Sequence, residues 1–496
     1  MLYNSSQSIP SKPVMIGLVL LGVLAVSLVA ACAVWSLTFT KTLALFFLFS
    51  FPILLLLSGE RRRFVLGMLM FVIPFNIDEN FIEHPSPGGA DGLSGGLVDI
   101  FLILLLVFTL ARTMKTKRTG ELYLFPELFV PSLALFVFYL ISFLNATDLL
   151  WSAFDTLNYL KAILLFWLVA NNIRSDKDLK VVLISLFLGL VLQVIVTTAL
   201  NADPSLTGLF LKYKIGVAAD FEQTYDANMF VRSGGTFGNA NHLGRYLGLL
   251  LPIAYMLLVT RTCRGFTLIT LVAAMIGTFA IIYAMSRSAW AGITVSILVM
   301  IPLLLQHRFL TFRSLFVLMI GAGIGSLLMF AFKDIIWARL TMDDHGSAMT
   351  RITTAKVAFR MIQDYPFVGC GINNYAAVLN DYWIGEDTFT NKAAVHNNYL
   401  LYMTEIGILG FTAFLWVLIA FARRILKAVK SKTPFYAAIA IGLWGAFVGF
   451  LLNSLTDKSY KENFSLLLLL WTFMAITEAI IRLQSTVNQR ERVSCQ

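Results

Sequence analysis

Charge is scarce in this chain. Lys, Arg, Asp and Glu make up only 13% of 496 residues while 58% are hydrophobic, about half the charged share of a soluble globular domain. With a mean hydropathy of +0.78, there is too little polar material to cover a water-facing surface, which excludes a soluble globular protein. Cysteine is equally sparse. Cys32, Cys263, Cys370 and Cys495 form no CxxC or metal-spaced pair, so neither a disulfide framework nor a zinc site is expected. His and Cys ligand spacing for other metals is missing too, so no metal or other cofactor is expected. Nothing in the first half repeats "GTFGNAN" or "HNNYLL", as a transporter built from internal repeats would. What the chain does have is apolar runs of about 20 residues, the length that spans a bilayer, recurring from Val14 to Leu483. They imply an all-α, polytopic transmembrane bundle.

The net charge of +10 is not gathered into a basic domain, so no nucleic-acid partner is expected. The cations sit in the breaks Arg61–Arg63, Arg112–Arg118, Arg174–Lys180, Arg261–Arg264, Arg308–Arg313 and Arg423–Lys432 and in the tail from Arg482. Basic breaks mark cytoplasmic connections, and two apolar segments lie between each successive pair. The count is about 14 spans with both termini cytoplasmic. The first run follows a head with only Lys12 as a basic residue and reads as a retained helix. A division follows: N-terminal helices at 1–200, a core at 201–421 that includes an external loop at 333–395, and C-terminal helices with a cytoplasmic tail at 422–496.

The long connections are all external: Asn76–Gly96, Asn201–Phe237 and Lys333–Val395. The last contains "SAMTRITTAKVAFRMIQDYPFVGCGINNY", which reads as an amphipathic helix ended by Pro366 and the Gly369/Gly371 pair. On a helical projection Ile352, Ala355, Phe359 and Ile362 form an apolar stripe with Lys356 and Arg360 opposite. Arg351, at the edge of that stripe, either points inward or snorkels to water.

Ionisable residues in or near spans are functional-site hypotheses, and here they gather on the outer side. Arg232, Arg245, Arg287 and Lys161, with His242 and His396, suit an anionic ligand, because the guanidinium fork matches phosphate oxygens. Each has a plainer reading. Arg287 could anchor at the interface, His242 could cap or pack beside Asn239 and Asn241, and Lys161 could pair with Asp155 or a carbonyl. Glu405, about 13 Å along its helix from His396, reads as a brace between helices. His396 opens a span after the longest external loop, where a neutral imidazole can act as a general base. Asn397 and Asn398 stand ready to fix its tautomer.

Three stretches in order, "RSGGTFGNANHLG", "SRSAWAG" and "RITTAKVAFRMIQDYPFVGCGINNY" followed by "HNNYLLYMTEIGILG", resemble the O-antigen ligase and polymerase superfamily of bacterial envelope glycosyltransferases. The likeness covers roughly residues 232–410. It implies an inverting, metal-independent glycosyltransferase of the bacterial inner membrane with a periplasmic active site. The donor would be an undecaprenyl-diphosphate-linked glycan and the acceptor a lipid A core sugar or another glycan. The family's histidine matches His396 and its essential arginines match Arg232 and Arg287, with Arg351 a third at the start of the loop helix. The arginines would hold the diphosphate, His396 would deprotonate or orient the acceptor, and Lys161, Arg245, His242 and Asn397 would line the substrates. Ligase and polymerase readings both stay open. A transporter is the alternative from another class.

Overall fold

The computed structural model describes residues 58–75, 77–86, 89–90, 92–116, 122–202, 234–309, 311–334, 336–337, 347–383 and 394–494. Arg232, the N-terminal apolar run, Cys32 and Cys495 lie outside these residues.

The chain is an all-α polytopic bundle. Its described helices are α1 (Arg61–Val72), α2 (Leu97–Thr116), α3 (Pro126–Ser142), α4 (Leu149–Asn172), α5 (Asp176–Ala202), α6 (Ala240–Val259), α7 (Thr267–Tyr283), α8 (Arg287–Gln306), α9 (Phe312–Ala331), α10 (Ser347–Asp364), α11 (Tyr375–Val378), α12 (Asn398–Val429), α13 (Pro434–Ser454), α14 (Ser459–Glu462) and α15 (Phe464–Ser494). Nine of the described helices are long and apolar enough to cross a membrane. Two described helices lie between each successive pair of basic breaks from Arg61 to Arg308; beyond that, the loop helix α10 and the short α11 and α14 are added to the pairs α9/α12 and α13/α15. The first long connection, read from sequence as a turn-rich loop, is a two-stranded antiparallel hairpin of β1 (Asp78–Glu83) and β2 (Gly92–Gly96).

Local sequence starts several of these helices. Asp148 accepts from the Leu150 and Trp151 amides, Asn239 from Asn241 N, and Asn397 from Leu400 N, each satisfying donors that a helix N-terminus leaves unpaired. Pro126 and Pro434 open α3 and α13 at positions where no N–H is needed. α13 packs on α6 and α8, α12 on α3, and α15 on α4. Gly442, Gly445 and Gly449 make the α13 contacts close: a Cβ on Gly442 would lie 2.6 Å from the Ile253 Cα, and one on Gly449 would lie 2.4 Å from the Ser296 hydroxyl.

One end of the bundle, the basic end, is clamped by ion pairs. Asp178, fully buried, meets Arg62 and Arg63 at 2.6 Å, while Arg424 bridges Glu478 at 2.5 Å and Glu127 at 3.0 Å. At the opposite end, the loop end, α12 is not the continuous helix its hydropathy implies. Gly407 takes φ 65°, ψ −177° and interrupts it. The segment Pro366–Gly371 fills the break: Ile408 N donates to Pro366 O at 2.8 Å, Cys370 N to Thr404 O at 3.0 Å and Gly371 N to Glu405 O at 3.0 Å. Irregular backbone at membrane depth survives only when protein buries and satisfies it. The approach leaves no room for side chains, since a Cβ on Gly407 would sit 2.3 Å from the Phe367 carbonyl carbon and one on Gly369 2.2 Å from that of Glu405. Gly407→Ala adds this clash to an unfavourable positive φ. We expect it to lower the melting temperature in detergent by several degrees, whereas Gly248→Ala on α6, where a Cβ has open space, should not.

α10 is amphipathic, but its buried face differs from the projected one, and Lys356, projected opposite Ile352 and Phe359, is exposed on the same face as both. Thr354, Val357, Ala358 and Met361 are buried, whereas Ile352, Phe359 and Arg351 are exposed. Small side chains at 354 and 358 let the helix approach a cluster formed by Cys370, Tyr375, Leu379, Val395 and Leu401, and the Tyr375 hydroxyl donates to Thr354 O at 2.9 Å. Arg351 therefore does not point inward.

Candidate active site

Three helix starts converge at the loop end around the connection from α13 to α15. From α6 comes Arg245, whose side chain is fully buried and meets Asp457 Oδ2 at 2.5 Å. It also donates to Asn241 O at 2.8 Å and to Ser288 Oγ at 3.1 Å. From the turn before α8, Ser286 donates to Asn241 Oδ1 at 2.8 Å. Arg287, half-buried, stands between these two serines. His396 precedes α12.

Asp457 is the hub. Its Oδ1 accepts from the Ser459 amide at 3.0 Å and hydroxyl at 2.8 Å. Burial pushes its carboxyl up, but Arg245, His396 and His242 outweigh that and bring it down to about 2. His242 Nε2 lies 3.9 Å from Glu462 Oε2, and Lys458 Nζ 3.3 Å from Glu462 Oε1.

His396 is half-buried and its Nδ1 has no partner among the described residues. Burial holds the imidazole below its ordinary value. Asp457 pulls it up, while Lys458 and Arg351 push it down. The surroundings therefore favour the neutral ring over the imidazolium. Arg351, though exposed, is close enough to bear on that charge.

Some residues singled out from the sequence are engaged elsewhere. Asn397 and Asn398 do not hold the imidazole: Asn397 accepts from Leu400 N at 3.0 Å and donates to Leu455 O at 2.9 Å, and Asn398 donates to Ser454 Oγ at 3.3 Å. Together they tie the start of α12 to the end of α13. Lys161 is bound to the hairpin and its root, 3.0 Å from Asp99 Oδ1 and 2.9 Å from Ser94 O, rather than to Asp155. Arg245 is committed to Asp457 and is not exposed to a ligand. Glu405, buried at the break in α12, meets Lys461 at 2.5 Å, and Lys461 in turn lies 3.6 Å from Asp155 of α4. Among the described residues, no group of three His, Cys, Asp or Glu is placed to hold a metal ion.

Asp457, Lys458, Lys461 and Glu462 went unnoticed in the sequence because their charges cancel, so "TDKSYKEN" stood out neither as a basic break nor as an external cation cluster. The available signal was four charges within six residues between two long apolar runs, with no room for a separate solvated domain.

The fold and this cluster define a polytopic membrane protein with a buried cluster of charged and polar side chains at one end of its helices. Residues 271–415 match the family model for the O-antigen ligase domain, which supports the O-antigen ligase and polymerase superfamily and an enzyme of glycosyltransferase type. Arg287, Arg351, His396, Asn397 and Glu405 fall within the match; Lys161, Arg232, His242 and Arg245 precede it, and the Asp457 connection follows it. No match was found among curated proteins.

Proposed function

We propose that the protein transfers a glycan from undecaprenyl diphosphate to an acceptor sugar hydroxyl, a lipid A core sugar or another surface glycan, at the periplasmic face of the bacterial inner membrane. The observation that carries this reading is His396, at the entry to α12 with an unpartnered Nδ1, inside the family match, its pKa held below the ordinary value by burial and within electrostatic reach of Arg351. His396 takes the acceptor hydroxyl proton as the oxygen attacks the anomeric carbon. The bond from that carbon to the diphosphate oxygen breaks, and the leaving group departs as an anion. Arg287 and Arg351, with Arg232, would meet this developing charge. One displacement inverts the anomeric centre. Asp457 and Arg245 act by positioning, because their pairing fixes α6 to the connection after α13, whose first residue, Leu455, is tied to the start of α12 by Asn397. On this reading residues 201–421 form the catalytic core.

The test is turnover by purified protein of a polyprenyl-diphosphate-linked glycan with a sugar acceptor in excess EDTA. Product of inverted configuration supports the proposal. Activity lost in EDTA and restored by magnesium or manganese would overturn its metal-independent form, and substrate movement without bond transfer would indicate a transporter. Deleting the gene separates the two enzyme readings: full-length chains accumulating on the carrier indicate a ligase, single repeats a polymerase.

A further inference from the structure

The outward face of α10 is apolar where it has no need to be. Met349, Ile352 and Phe359 are 66%, 52% and 57% exposed, and Phe367, just beyond the helix, is 65% exposed. Spacings of three, four and three place Met349, Ile352, Lys356 and Phe359 on one face, with Arg360 beside Lys356. Both cations are exposed. The same helix buries its smaller residues, Thr354 and Ala358, against the bundle.

The break in α12 fixes the depth of this face. Arg423, Arg424 and Lys427 near the end of α12 belong at one headgroup layer. A hydrocarbon core of ~30 Å takes about 20 helical residues, so the opposite boundary falls near Thr404. Pro366–Gly371 is hydrogen-bonded to Thr404–Ile408 and shares that level. Ile408 and Leu409, also there, are partly exposed on the flank of α12. Phe367 and the end of α10 thus lie at the membrane boundary and not above it.

We propose that the outer face of α10 is seated in the outer leaflet, with Met349, Ile352, Phe359 and Phe367 among the acyl chains and Lys356 and Arg360 bound to the phosphates of anionic phospholipid headgroups. Large apolar side chains beside cations, at the headgroup boundary, are the chemistry of an interfacial helix. The acidic residue at the end of α10, Asp364, is bonded by the Tyr382 hydroxyl at 2.7 Å. The loop helix is thereby held to the lipid on one side and to α12 on the other, which sets the height of Arg351. This inference stands apart from the catalytic reading.

The test uses the full chain in nanodiscs of phosphatidylcholine, with and without phosphatidylglycerol. A Cys32→Ser/Cys495→Ser background leaves only the buried Cys263 and Cys370. A Phe359→Cys variant of it, carrying an environment-sensitive fluorophore, should be quenched by nitroxide-bearing lipid and not by aqueous iodide. Phosphatidylglycerol should be retained preferentially through purification. The double reversal Lys356→Glu/Arg360→Glu should cut that affinity about 25-fold or more, at roughly fivefold for each cation lost. Inorganic diphosphate should not displace the lipid. Quenching by iodide alone would overturn the proposal, as would phosphatidylglycerol retention that ignores the charge reversal. Displacement by diphosphate would assign the cations to the donor instead, and cross-linking between two copies through position 359 would assign the face to a dimer.

Discussion

Replacing His396 by Ala is expected to lower turnover about 100- to 10,000-fold, the range for losing a general base, while leaving affinity for the lipid-linked donor nearly unchanged. On the proposed mechanism the imidazole would meet the acceptor hydroxyl, whereas arginines would hold the diphosphate. The pH profile carries a sharper signature. The folded-state pKa of His396 lies below the ordinary 6.5 because burial disfavours the imidazolium, so the base form is already dominant at pH 6.5. Activity should therefore hold as pH falls through 6.5 and decline only below it. Two neighbours move that acid limb in opposite directions. Arg351→Gln removes a cation that pushes the pKa down, so the limb should shift to higher pH. Asp457→Asn removes an anion that pulls it up, so the limb should shift lower. Only the position of the limb is read, because the proposed mechanism also gives Arg351 a part in meeting the leaving group. Should Asp457→Asn fail to fold, with Arg245 left as a buried unpaired cation, the Arg351 variant still decides. An acid limb that stays fixed in Arg351→Gln, or a His396→Ala variant with full turnover, would remove His396 from the role of base. Full turnover in His396→Ala together with a dead His242→Ala would transfer that role to α6.

How far this site could be read from the sequence depended on whether each feature is local. The start of α12 was legible, because a histidine and two asparagines ahead of a long apolar run mark a helix entry. Asn397, read from sequence as a partner of the imidazole, is instead the helix cap, and its side chain serves Leu400 and Leu455. The alternation of helices was legible from the basic breaks for the same reason, as each break is read from a few adjacent residues. The break at Gly407 was not, since a glycine in an apolar run is common in membrane helices and only the docking of Pro366–Gly371, some 40 residues earlier in sequence, makes it necessary. The face of α10 failed differently. Its sequence carries two apolar stripes, one of large and one of small side chains, and periodicity alone cannot say which meets protein when the other can meet lipid. Asp457 and Lys461 were invisible because burial of a charge is a tertiary fact, set by the partners that α4, α6 and α12 bring to them.

Lys461 carries the second large expected effect. It is a single ammonium facing two carboxylates, Glu405 at 2.5 Å and Asp155 at 3.6 Å, and the three side chains are 2%, 1% and 9% exposed. Burial works against its charge, but Asp155 and Glu405 outweigh burial and hold the amine above its usual range. The group joins three elements: α14, the broken region of α12, and α4. Removing one partner of a buried pair is costly because it strands the other, by about 3–5 kcal/mol, and Lys461→Met strands two carboxylates with no cation between them. We expect Lys461→Met to be poorly folded, or to melt many degrees below the parent in detergent. Glu405→Gln should be far milder, because one cation then faces one carboxylate and the amide still offers an acceptor to the Tyr375 N–H, 3.4 Å from Glu405 Oε1. The same substitution in the Lys461→Met background should recover part of the lost stability by removing one stranded charge. Thermal melts of the three variants, taken with donor turnover, separate bracing from chemistry. A Glu405→Gln protein that melts like the parent yet loses turnover 100-fold would make Glu405 part of the reaction, and equal melting temperatures for Lys461→Met and the parent would dissolve the brace altogether.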